Sequence, residues 1–201
     1  MIKKIFLVLC VMFLSISVFA VDPAPLAMLK TTSSKMLAEL DKNIGRLKSD
    51  DKLVYELVDR VLLPHFDLNA MSRAVVGREY WQGADASTKK EFIGQFTHYV
   101  TKTYSAALQS YDGEKMIFLP MRTDASGQSR VQVDSKLMLK SGSPIDLQYR
   151  LLKQGNQWLI YDFSVDGISI VQNYNSQFAG TLRQGGMAKL VQQLKARNAK
   201  N

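Results

Sequence analysis

After Gly113 the spacing of apolar residues changes from a helical repeat to strict alternation, and this change restricts the fold more than any other feature of the chain. Val131, Val133, Leu137 and Leu139 share one face of a strand, while Gln132, Asp134, Lys136 and Lys140 share the other. Ser141, Gly142, Ser143 and Pro144 make a turn. The next strand alternates again, with Ile145, Leu147, Tyr149 and Leu151 on one face. Gln154, Gly155 and Asn156 make a second turn before a third strand over 157–163, and residues 116–121 fit an earlier strand. Short turns between alternating segments dictate an antiparallel meander.

Helical periodicity occupies the chain on both sides of that meander. Pro23 and Pro25 precede a segment with Met28, Leu29, Met36, Leu37, Leu40, Ile44 and Leu47 at helical spacing. A second segment carries Leu53, Val54, Leu57, Val58, Val61 and Leu62, and Pro64 should end it. Asp67 is placed to cap a short helix that closes at Gly77. Asp85 and Ser87 both offer a cap for the longest helix, whose apolar stripe runs through Phe92, Ile93, Phe96, Val100, Tyr104, Leu108 and Tyr111. Two helices, over 168–182 and 187–196, close the chain. Helices, then a meander, then helices again predict an α+β domain whose sheet folds against a helical layer. No repeat or linker divides the chain, so one domain over 21–201 is expected.

The first twenty residues are expected to be removed. Lys3 and Lys4 precede an apolar run over 5–18, and Val18 and Ala20 satisfy the small-residue rule of a secretory signal. The run is short for a membrane span, and Leu7, Val8 and Leu9 before Cys10 are not the small residues that lipidation wants. Cleavage removes the only cysteine, so the exported chain is held by an ordinary core without disulfides. Loss of Lys3 and Lys4 lowers the formal charge from +8 to +6, with a concentration only at Lys189, Lys195, Arg197 and Lys200. Such a charge suits anionic lipid headgroups, an acidic protein partner or plain solubility. Without a basic stripe or stacking motif, nucleic acid is not an expected partner.

Catalytic signatures are absent. His65 and His98 belong to no metal-ligand spacing, and there is neither a G-x-S-x-G elbow nor a glycine-rich phosphate loop. Asp162, inside an apolar strand, and Asp166, before Gly167, are the two acids worth weighing. A carboxylate in a pocket serves as a general base in cone-shaped α+β isomerases. Equally, Asp162 can hydrogen-bond backbone where strand meets helix, and Asp166 can hold a turn or cap a helix. The aromatic surplus is another open choice. Phe92, Phe96, Tyr99 and Tyr104 on the long helix, Tyr149, Tyr161 and Phe163 in the meander, and Tyr174 and Phe178 beyond it make either a filled core or the walls of an apolar cavity.

Three stretches carry a family resemblance. The first is Leu62-Leu63-Pro64-His65-Phe66-Asp67-Leu68-Asn69-Ala70-Met71-Ser72-Arg73, continuing through Val75-Val76-Gly77 to Trp81. The second runs over 92–108 and ends in Thr103-Tyr104-Ser105-Ala106-Ala107-Leu108. The third joins Trp158-Leu159-Ile160-Tyr161-Asp162, Val165-Asp166-Gly167-Ile168-Ser169-Ile170-Val171 and Asn173-Tyr174-Asn175-Ser176-Gln177-Phe178. In this order they resemble the MlaC family of periplasmic phospholipid-binding proteins, the toluene-tolerance (Ttg2-type) auxiliary components of ABC transporters. Lys102 and Asn175 stand where that family's pattern suggests arginine.

The resemblance implies a curved antiparallel sheet, similar to the NTF2-like cone, wrapped by N- and C-terminal helices with a lipid pocket between. It implies a periplasmic, monomeric carrier that shuttles glycerophospholipid between outer and inner membranes and so maintains outer-membrane lipid asymmetry. Its partners would be an inner-membrane ABC transporter with an MCE-domain subunit and an outer-membrane lipoprotein–porin complex. No cofactor, metal or catalytic residue is implied, the ATP chemistry being the transporter's. On that reading the lipid-binding wall pairs Phe96, Val100 and Tyr104 with Ile145, Leu147 and Tyr149, and Leu137 and Leu139 join by sheet parity. Ile168 and Val171, where strand passes into helix, are placed at the mouth or wall. Two other readings are a periplasmic NTF2-like enzyme with Asp162 or Asp166 as general base, and a lipoprotein chaperone.

Overall fold

The computed structural model describes residues 22–122 and 124–199. The expected signal segment over 1–20 lies outside the described residues.

Carboxylate caps set where three of the helices begin. The first helix, α1 (Ala24–Asn43), instead starts on Pro25, whose fixed φ suits the first turn. Asp50 accepts from the Leu53 N–H to open α2 (Asp51–Leu57), Asp67 from the Ala70 N–H to open α3 (Leu68–Val76), and Asp85 from the Thr88 N–H to open α5 (Ala86–Gln109). Between the last two sits α4 (Arg78–Gly83), a short helix that the apolar pattern does not announce. The segment before Pro64 departs from expectation. Instead of one helix to residue 62, α2 widens into a π turn at Val58–Leu62 and then tightens into a 3-10 turn at Leu63–His65. Leu63 before the proline keeps helical angles (φ −58°, ψ −31°), but Pro64 has no N–H to continue the helical ladder, and the chain turns extended at Phe66.

The meander follows chain order: β1 (Lys115–Phe118), β2 (Arg130–Met138), β3 (Ile145–Gln154), β4 (Gln157–Val165) and β5 (Ile168–Ser169), every neighbouring pair antiparallel. One irregularity decides which side chains face inward. Leu151 lies opposite Ile160 and Arg150 opposite Asp162, so Tyr161 is an extra residue, a β-bulge. Because side chains alternate between faces, the bulge reverses the parity of β4. Trp158 and Ile160 before it share the inner face with Phe163 after it, while Asp162 and Ser164 turn to the outer face.

The closing helices are one element, α6 (Ile170–Asn198), broken at Gly185–Gly186. Gly186 has φ 62° and ψ −162°, a conformation open essentially to glycine, which separates two helical halves as the sequence pattern suggests. Residues 168 and 169, expected to be helical, instead pair with β4 as β5. Ser169 then caps α6 by accepting from the Gln172 N–H.

Three apolar cores surround the centre of the molecule. The α3, α5 and α6 core stacks Phe92, Phe96, Tyr174 and Phe178. A second joins the C-terminal half of α1 to α2 and the π turn through Met36, Leu40, Leu57 and Val61. The third sets Leu26 and Leu29 of α1 against Val131, Val133, Leu151, Trp158 and Ile160 of the sheet. Leu137, Leu139, Ile145 and Leu147 belong to none of them. Their apolar side chains face space.

Candidate functional site: an apolar cavity with a charged rim

That space is a cavity of about 700 Å³ between the sheet and the helices, of a size that holds a substantial apolar ligand. On α5, Phe96, Val100, Tyr104 and Leu108 recur every fourth residue and so form one face along the wall. From Phe96 to Leu108 that wall runs ~18 Å at 1.5 Å per residue. Opposite stand Leu137 and Leu139 of β2 with Ile145, Leu147 and Tyr149 of β3. Phe163 of β4 reaches to Tyr104, ring centres 6.3 Å apart, and joins the two walls. Helix α1 covers the remaining side with Leu29, Met36 and Leu40, and the π and 3-10 turns add Val58, Leu62 and Leu63.

Polarity is confined almost wholly to hydroxyls and one end. Ser72 of α3 lines the cavity at 1% exposure, and its buried hydroxyl has no hydrogen-bond partner among the described residues. The charged residues of the wall are Asp112, Glu114 and Lys140, all at the end where α5 gives way to β1. Lys140 Nζ lies 3.0 Å from Asp112 Oδ1, and both side chains are exposed. Burial pushes the Tyr149 and Tyr104 hydroxyls above the ordinary phenol range.

Near the rim, Tyr111 donates to Asp41 Oδ1 over 2.8 Å and ties the end of α5 to α1. Burial, then the hydrogen bond and charge of Asp41, push its hydroxyl up to about 12 from an ordinary 10. The folded protein therefore holds this proton more tightly than the unfolded chain does. The linked stabilisation is complete below pH 10 and falls away as pH rises from 10 to about 12. Denaturation midpoints should fall more steeply over that interval in the native protein than in Tyr111→Phe. Parallel profiles would remove this account of Tyr111.

Of the ten residues expected to form the wall, eight do: Phe96, Val100, Tyr104, Leu137, Leu139, Ile145, Leu147 and Tyr149. Ile168 and Val171 do not. Asp166 and Gly167, with φ 47° and 79°, form a two-residue hairpin turn that carries Ile168 onto the edge of the sheet, 63% exposed. Val171 packs against the α3–α5–α6 core, and its N–H donates to Asp162. Residues missed from the sequence include Leu29, Met36 and Leu40, Val58, Leu62 and Leu63, and Ile160 and Phe163. The amphipathic pattern of α1 was a usable signal, whereas the bulge that turns Phe163 inward left none.

Neither candidate base touches the cavity. Asp162 is 1% exposed and accepts from Arg150 Nη1 (3.1 Å), Ser169 Oγ (2.7 Å) and the Val171 N–H (3.1 Å). It joins the strand to the start of α6. Asp166 exchanges two hydrogen bonds with the backbone of Asp146 and holds its hairpin against β3. His98 stacks on Tyr55, ring centres 5.1 Å apart, in a separate groove between α2 and α5. Among the described residues no group of three or more His, Cys, Asp or Glu side chains is placed to hold a metal, and no helix is long and apolar enough to cross a membrane.

The profile of a known family, described as the MlaC protein, matches residues 30–196. The chain belongs to the MlaC family. Among its MlaC relatives, the toluene tolerance protein ttg2D of Pseudomonas putida is 25% identical over 155 residues, 77% of this chain and 71% of that protein. The intermembrane phospholipid transport system binding protein MlaC of Haemophilus influenzae is 21% identical over 173 residues, 85% of this chain and 80% of its own. A solved structure, the phospholipid-binding protein of Ralstonia solanacearum in complex with a phospholipid, superposes with a TM-score of 0.82 at 28% identity. That match covers 90% of this MlaC-family chain and 98% of the other. The expected α+β fold, a curved antiparallel sheet with flanking helices, is the fold observed.

Proposed function

We propose that this protein is a periplasmic carrier that holds the acyl chains of a glycerophospholipid in the cavity and leaves the headgroup at the charged rim. The observation that carries this reading is the cavity itself: ~18 Å of apolar wall along α5, with charge at one end only. Half the ~30 Å hydrocarbon thickness of a bilayer, about 15 Å, is what one acyl chain spans, so the wall accommodates it. The phospholipid named with the Ralstonia solanacearum neighbour supports the same cargo class. Phe96, Val100, Tyr104, Leu137, Leu139, Ile145, Leu147 and Tyr149 are the proposed acyl-chain contacts.

Transport follows from the energetics of such a cargo. Two chains with ~30 methylenes lose on the order of 20 kcal/mol of gross apolar burial on release into water. Spontaneous release is therefore extremely slow, and handover needs contact with a membrane or a docked protein, where apolar surface is exchanged for apolar surface. The proposed route joins an outer-membrane lipoprotein–porin complex to an inner-membrane ABC transporter with an MCE-domain subunit, and serves outer-membrane lipid asymmetry.

Native mass spectrometry of the protein purified from its own compartment, followed by solvent extraction, tests the cargo. A stoichiometric mass increment that resolves into glycerophospholipid is expected. A clean unliganded mass after gentle purification would overturn the reading.

A further inference from the structure

The rim carries a charge pattern that a phosphate alone does not match. Among the described residues that line the cavity, Lys140 is the one cation, and Asp112 and Glu114 are the two anions. Gly113 sits between the acids with φ 86°, and a Cβ placed there would lie 3.5 Å from Lys140 Cε, so the lysine stem packs across this turn. Its ammonium is thereby held beside Asp112, 3.0 Å from Oδ1. Glu114 Oε2 accepts from the Asp112 N–H over 2.8 Å, which keeps the two acids side by side. The Lys140 and Asp112 side chains are 60% and 66% exposed, so a ligand emerging from the cavity reaches both.

We propose that this rim selects a zwitterionic headgroup, one that bears an ammonium beside its phosphate. The proposal rests on the phospholipid reading above. A phosphate that reaches Lys140 competes with Asp112 for the ammonium and releases that carboxylate. A headgroup with its own ammonium then repairs the loss: phosphate pairs with Lys140, and the ligand's ammonium pairs with Asp112 and Glu114. An anionic headgroup with a neutral glycerol repairs nothing and leaves two carboxylates facing a net negative ligand. Exposed pairs of this kind each contribute little, so the preference is about fivefold and weakens with salt.

The test presents delipidated protein with vesicles of equimolar phosphatidylethanolamine and phosphatidylglycerol with matched acyl chains, then weighs the re-isolated protein by native mass spectrometry. Mixed vesicles give both lipids the same surface, so the general positive charge of the protein does not bias the result. Phosphatidylethanolamine should exceed phosphatidylglycerol about fivefold at low ionic strength, and the excess should vanish in high salt. The double variant Asp112→Asn, Glu114→Gln should erase the excess. Should it fold poorly, Asp112→Asn alone should reduce it by at least half. Equal uptake of the two lipids by the native protein overturns the headgroup proposal and leaves the carrier intact. Uptake of neither overturns the carrier reading together with it.

Discussion

Leu147→Arg is expected to lower phospholipid affinity about a hundredfold to a thousandfold while the protein still folds. Leu147 lies on the central strand, opposite Ser135 of β2 and Val165 of β4, with its side chain on the cavity wall rather than in a core. In the empty cavity a guanidinium there is hydrated. Acyl chains would have to displace that water, and stripping an unpaired ion costs several kcal/mol, each 1.4 kcal/mol being tenfold in affinity. Ile145→Arg supplies the graded control. It sits next to the turn that leads from Lys140, where a long side chain extends its charge toward Asp112 and Glu114, so about tenfold is expected. Extraction of bound lipid from each variant, beside a thermal melt, measures both effects. Equal losses at both positions would remove the gradation toward the rim, and variants that simply unfold would place these side chains in a core.

Asp162→Ala should cost about 3–5 kcal/mol of stability and lower the melting temperature by roughly 6–20 °C, without changing which lipid is bound. Asp162 is buried on the outer face of the sheet, and three donors converge on it. Removal leaves the Val171 N–H and the Ser169 hydroxyl without their acceptor and Arg150 without its ion pair. Asp162→Asn keeps one acceptor oxygen and should fall between the two. A melting temperature within 2 °C of the native protein for Asp162→Ala, with loss of some turnover, would instead restore the general-base reading.

How much of this was legible in the sequence depends on what periodicity encodes. Alternation in β2 and β3 and the four-residue repeat of α5 name the faces that look at each other, which is why eight wall residues were found. Asp67 and Asp85 declared their helices because a carboxylate cap is a local device. Periodicity does not encode the distance between two apolar faces, so a cavity and a filled core read alike. Tyr161 shows the other limit: a bulge is one residue of slack between two partners, and nothing in Leu159-Ile160-Tyr161-Asp162-Phe163 marks it. Ile168 was misplaced because the Asp166–Gly167 turn redirects the chain within two residues. Lipid as cargo came from the family resemblance of three ordered stretches, since an apolar face has no chemistry specific to one ligand.

The wall that α1 supplies has a consequence for the order of assembly. In the core beneath it, Leu29 meets Val131, Val133, Leu151, Trp158 and Ile160, the nearest of which, at position 131 against position 29, lies 102 residues further along the chain. Loop closure over such a distance must be met before any of these contacts can form. Synthesis runs from α1 toward β4, so the C-terminal half of the first helix finds α2 and the π turn early, while its N-terminal half is seated only when the last long strand exists.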